Sequence, residues 1–133
     1  MYNKQLKAFT LQELLVVLVI IGILTLLALP NLLPLISKAK AKEAELQLKH
    51  LLTLQKTNFY TYSKYSNDLN QLGFEQEKLT TNGGNANYSI EVVEASSAGF
   101  IGRATAVVDF DGDGEYNVWE VSHEGDIREV TKD

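Results

Sequence analysis

Two groups of residues have the types and spacing to do chemistry. The first is a lone acid, Glu13, near the start of the apolar stretch KAFTLQELLVVLVIIG, Lys7–Gly22. An ionised carboxylate inside hydrocarbon costs about 2.5 kcal/mol or more unless it meets a partner. Glu13 is therefore a candidate counter-ion. The second is DFDGDGEYNVWE, Asp109–Glu120, which fits the calcium-loop spacing D-x-D-x-D-G-x₅-E. Asp109, Asp111 and Asp113 offer carboxylates at alternate positions, and Gly114 permits the sharp turn. The Glu115 carbonyl is a further candidate ligand, and Glu120 is placed to close the shell with both oxygens. Three adjacent aspartates repel one another, and a bound Ca2+ removes that cost. The plainer reading of the same residues is a solvated Asp/Gly turn.

The elements that must position these groups follow from the patterning. Leu14–Leu29 is almost continuously apolar, broken only by Gly22 and Thr25. Alone it is slightly short of the ~20 residues of a spanning helix; Phe9 and the leucines beyond Pro30 extend it. Pro30 and Pro34 each remove a helical hydrogen bond, so a break or bend is expected at Pro30. From Ser37 onward Ala44, Leu48, Leu51, Leu52, Phe59 and Tyr62 draw one apolar stripe at three- and four-residue steps. One helix is thus expected from Phe9 to about Tyr62, its first half suited to lipid and its second to packing.

Asn67–Thr81 reads as a loop anchored by Leu69, Leu72 and Phe74, followed by the turn Asn82-Gly83-Gly84-Asn85. Four strands are expected at Tyr88–Ala95, Phe100–Val108, Tyr116–Ser122 and Ile127–Thr131, joined by turns short enough for an antiparallel meander. Gly102, Ala104 and Ala106 share one side of the second strand, where a helix can approach closely. Trp119, Tyr88 and Phe100 are expected in the sheet core, and Tyr60, Tyr62 and Tyr65 between helix and sheet. The fold class is α+β: a long N-terminal helix packed on a small antiparallel sheet of about four strands. Strands flanking Asp109–Glu120 exclude an EF-hand sensor, whose loop needs a helix on each side. Calcium would there brace a hairpin.

The 133 residues carry a net charge of −5 and no cysteine. That excludes disulfides and thiolate metal sites, and nucleic acid is not expected as the main partner because phosphate binding needs a basic face. The only histidines, His50 and His123, stand apart in sequence, and no nucleophile has an evident base. An enzyme is not expected.

The basic leader ending in Lys7-Ala8, the run Phe9-Thr10-Leu11-x-Glu13 leading into Leu14–Gly22, and Pro30 beyond it resemble the type IV pilin superfamily, which includes pilins and the pseudopilins of type II secretion. The resemblance is specific over Met1–Pro34 and architectural thereafter. It implies cleavage by prepilin peptidase between Ala8 and Phe9, and N-methylation of Phe9. Ala8 stands where family members usually have glycine; both are small. The resemblance also gives Glu13 a partner, the Phe9 amine of an adjacent copy. It further implies three parts: a leader (1–8), a hydrophobic transmembrane and assembly half-helix (9–36) and a soluble domain (37–133). The leader would lie in the cytoplasm and the C-terminal domain outside a bacterial inner membrane. Lysines flank both ends of the apolar run, so charge alone leaves orientation close to a tie. The expected function is a structural subunit of a type IV pilus-like filament. Its partners are further copies of the chain, prepilin peptidase, the assembly machinery, and the lipid bilayer before assembly. A pseudopilin and a membrane-anchored calcium-binding module are the alternatives. An ordinary signal peptide is a rival reading of the N-terminus, with Leu26-x-Ala28 a poor cleavage site for it.

Overall fold

A computed structural model describes residues 8–133, and for positions 30–33 the backbone only. The leader up to Lys7 lies outside the described residues. The chain forms two compact units, Met1–Leu33 and Pro34–Asp133. Helix α1 (Leu11–Tyr62) contributes to both.

Within the first unit, Leu11–Leu29 forms a 19-residue apolar segment long enough to cross a membrane. Every side chain from Phe9 to Leu29 is exposed. β-branched Val16, Val17, Val19, Ile20 and Ile21 remain helical, which suits apolar surroundings, where only intrahelical partners would satisfy their backbone groups. Thr25 returns its hydroxyl to the Ile21 carbonyl at 2.7 Å and so leaves no polar group unpaired. The break expected at Pro30 does not interrupt the helix, which continues through positions 30 and 34. A proline removes only a bond or two from a long ladder, and neighbouring turns hold the rest.

In the second unit the apolar stripe of α1 packs on one face of a four-stranded sheet. Its strands are β1 (Tyr88–Ala95), β2 (Phe100–Ala106), β3 (Val118–Ser122) and β4 (Ile127–Thr131), in the order β1-β2-β3-β4 and antiparallel throughout. Ala44, Leu48 and Leu51 are fully buried against Tyr88, Phe100, Ala104 and Val121. Gly102 is required by this packing: a Cβ there would lie 2.5 Å from Leu51 Cδ2. The second and third strands are shorter than the sequence suggests. After Ala106 the chain turns away, with Val107 donating to the Asn87 carbonyl at 2.9 Å, and Asn117 is buried just before β3.

The stripe differs from expectation at its C-terminal end. Tyr62 is exposed, as is Tyr60, and the buried positions there are Gln55 and Asn58. Both are polar because the returning chain presents bare backbone to them. Gln55 accepts from Ser66 N at 2.9 Å and donates to the Ser66 carbonyl at 2.6 Å, while Asn58 donates to the Lys64 carbonyl at 2.8 Å. A buried backbone group left unpaired costs about 1–3 kcal/mol, so an amide is worth more here than an apolar side chain. Tyr65 alone of the three helix-end tyrosines packs inward, stacking with Phe59 at 4.8 Å. The anchor segment contains a short helical turn, α2 (Leu69–Leu72), capped by Asp68, whose side chain accepts from Asn70 N. Leu72 and Phe74 are buried as expected.

Candidate functional site

The amino-terminal site is built by the start of α1. Thr10 Oγ1 accepts from Glu13 N at 3.2 Å, and Glu13 Oε2 accepts from Thr10 N at 2.8 Å. This reciprocal pair is a capping box: Thr10 is the N-cap, and Glu13 sits three residues on. It satisfies two amides that a helix start leaves open, and it puts an anionic group where the helix dipole favours one. The sequence signal for it is Thr10-x-x-Glu13 ahead of an apolar run. Phe9, Thr10, Gln12, Glu13, Val16 and Val17 line an open concavity of about 550 Å3 around this carboxylate. Phe9 is 80% exposed. Ala8 adjoins it, also exposed.

The acidic site is a loop between β2 and β3. Asp109, Asp111, Asp113 and Asp133 each bring one carboxylate oxygen within 4.8 Å of the others. Backbone amides fold the loop around these groups. Asp109 accepts from Gly112 N at 2.8 Å and Gly114 N at 2.6 Å, Asp111 from Asp113 N at 3.0 Å, and Asp113 from Glu115 N at 2.8 Å. Gly112 and Gly114 take left-handed conformations, φ 80° and 91°, which a side chain would oppose. Lys40 Nζ lies 4.6 Å above the Phe110 ring, tying the loop to α1.

Electrostatics divide the aspartates. The Gly114 amide, aided by that of Gly112, holds Asp109 below its ordinary pKa against the opposing effect of desolvation. Asp111 also accepts an amide, from Asp113, which lowers it. Desolvation and the charges of Asp113 and Asp133 outweigh that bond, and its pKa is raised. The loop therefore resists ionising all of its acids together.

Two sequence-predicted ligands behave differently from the rest. Glu115 is exposed and donates its amide to Asp113. Glu120 is not brought to the cluster. It points to the other face of the sheet, where its Oε2 lies 2.7 Å from Arg103 Nη2 and 2.9 Å from Arg103 Nε. The register sets Glu91, Arg103, Glu120 and Arg128 in one row across all four strands, alternating in sign. Period two decides this: Val121 faces the core, so its neighbour Glu120 must face out. The fourth carboxylate comes instead from Asp133, which accepts from Phe110 N at 2.8 Å and Asp111 N at 3.1 Å. Nothing in local spacing marks Asp133, which lies 20 positions beyond Asp113.

An exposed apolar helix with one acid at its start, followed by a domain of helix and antiparallel sheet, suits a subunit whose apolar half is covered from outside. The comparisons with known proteins agree. The family model for the prokaryotic N-terminal methylation motif matches residues 3–29. The chain is 40% identical over 77 residues to the "Type IV major pilin protein PilA" of Myxococcus xanthus (strain DK1622). That match covers 58% of this chain and 35% of the relative, so the chain spans about a third of the length of the curated protein it matches. The motif and the relative together support a likeness to the type IV pilin superfamily.

Proposed function

We propose that this chain is a structural subunit of a type IV pilus-like filament, held in the inner membrane by Leu11–Leu29 before it polymerises. The observation that carries the reading is Glu13, one acid at the head of an otherwise apolar, fully exposed helix that also matches the methylation motif. Prepilin peptidase cuts between Ala8 and Phe9 and methylates the new Phe9 amine. That amine is cationic and lies one residue before the capping box. Glu13 already holds one hydrogen bond to Thr10 N, and a carboxylate has further acceptor sites to offer an amine from an adjacent copy. Each charge then offsets the other's desolvation. The role is structural rather than catalytic. Energy for extraction from lipid comes from separate assembly machinery.

Mass spectrometry of the protein from membranes tests the processing. A mature chain beginning at Phe9 and one methyl heavier supports it; a chain beginning at Met1 or near Asn31 overturns it. Electron microscopy of sheared cells then separates a pilus, which gives long surface fibres, from a pseudopilin, whose loss stops export without removing fibres.

A second reading concerns the acidic loop. We propose that Asp109, Asp111, Asp113 and Asp133 hold a calcium ion that braces the β2–β3 connection and the chain's C-terminal end. The support is the meeting of four carboxylates from two segments within 4.8 Å. Calorimetric titration of the detergent-solubilised chain tests it, and no heat at millimolar calcium would end the proposal.

A further inference from the structure

Charge is unevenly divided over the second unit. Residues 34–62 carry five lysines against two glutamates, whereas residues 63–133 carry five basic residues against fourteen acidic ones. On α1 the lysines Lys38, Lys42, Lys49 and Lys56 recur at steps of four and seven, in an exposed row turned away from the buried Ala44, Leu48, Leu51 and Gln55. That row ends in Tyr60, four residues beyond Lys56 and 85% exposed. Among the described residues the ion pairs are Lys42–Glu45, Arg103–Glu91, Arg103–Glu120 and Arg128–Glu120. Lys56 is in none of them.

The complementary feature lies at one end of the sheet. The β1–β2 turn and the β3–β4 turn enclose a cleft of about 480 Å3, rimmed by Glu94 and Glu124 and lined by Ser96, Ala98, Ile101 and His123. Clefts of about 300–1,000 Å3 accept groups larger than one aromatic side chain. Both rim glutamates are exposed and also belong to none of the four ion pairs. The cleft thus offers carboxylates for an ammonium group, serine hydroxyls for a phenol, and an apolar wall at Ile101.

We infer that this cleft receives the Lys56–Tyr60 knob of a second copy of the chain, with Lys56 between Glu94 and Glu124 and the Tyr60 ring against Ile101. The inference rests on the subunit reading above and deepens it. Knob and cleft are different surfaces of one molecule, so the contact is heterologous. Such contacts repeat into open helical assemblies when the rotation does not close. Charge complementarity sets which surfaces meet.

The absence of native cysteine makes a clean test available in the full-length chain. Tyr60→Cys and Ala98→Cys chains, distinguishable by tag, are co-expressed, and sheared filaments are oxidised with copper–phenanthroline. The expected result is a mixed disulfide dimer that neither variant forms alone. Lys56→Glu should lower its yield roughly fivefold, as repulsion replaces an exposed pair, and Glu94→Lys with Glu124→Lys on the partner should restore it. Abundant filaments with no mixed dimer, or a dimer indifferent to these charges, overturn the contact and leave the subunit reading standing. Absence of filaments from the unmodified chain removes both.

Discussion

Helix α1 contains two stretches that are equally helical and differently employed. In Leu11–Leu29 apolar side chains cover the whole circumference and all are exposed; in Ala41–Asn58 all but Leu46 gather on the side that the rest of the domain covers. Continuous backbone hydrogen bonding serves both, so helicity says nothing about the partner. The difference lies in how much apolar surface the chain itself can cover. The second stretch finds its cover within one molecule. Among the described residues the first does not, and under the proposed subunit reading lipid or further copies cover it.

The largest effect should come from the first stretch. Glu13→Ala is expected to leave the protein in the membrane and abolish filaments, since removing one partner of a buried ion pair costs about 3–5 kcal/mol. Glu13→Gln sharpens this result. Gln retains the capping-box bonds to Thr10 but not the charge, so failed assembly assigns the role to the ion pair. Normal filament yield from Glu13→Gln would assign it to the cap, and electron microscopy reads both. In the second stretch Leu51→Ala should cost about 2–5 kcal/mol in chemical denaturation of the C-terminal unit, through the cavity it leaves. Leu18→Ala, in the exposed stretch, should leave that transition unmoved. Comparable losses from the two would erase the contrast drawn here. Gly102→Ala should cost about 1–3 kcal/mol by forcing Leu51 aside.

The smallest effects concern protons. Asp109 has a depressed pKa in the folded state, so its stabilising bonds are complete above the ordinary value of 3.8 and are lost as pH falls through the folded value. Acidification below about pH 4 should loosen the loop first, read as faster amide exchange at Gly112 and Gly114. Tyr88 is shifted the other way. Burial foremost, then the charges of Glu43, Asp133 and Glu129, raise its pKa above the ordinary 10.0, and its hydroxyl donates to Asn117 Oδ1 at 2.6 Å. Its contribution is therefore complete below pH 10.0 and is lost at higher pH, read in an ultraviolet titration as a Tyr88 ionisation delayed beyond pH 10.0.

Much of this was legible in the sequence, because it depends on local pattern. Period-two alternation at Tyr88, Ile90 and Val92, with small residues at Gly102, Ala104 and Ala106, marked the sheet and the face the helix covers. Asp/Gly-rich turns marked its connections. What escaped depended on contacts distant in sequence. Gln55 and Asn58 carry no local mark of burial; the chain's return at Ser66 and Lys64 is what covers them.

By itself the sequence determined the apolar span, the lone acid at its head, the helix-then-meander order and the acidity of the loop, since composition and short-range periodicity suffice for these. Only the tertiary structure decided which carboxylates gather. Strand register turned Glu120 toward Arg103, and the end of β4 brought Asp133 back to Asp109 and Asp111. The physical reason is that side-chain direction is local, alternating with every residue of a strand, whereas proximity is set by pairing between segments far apart in the chain.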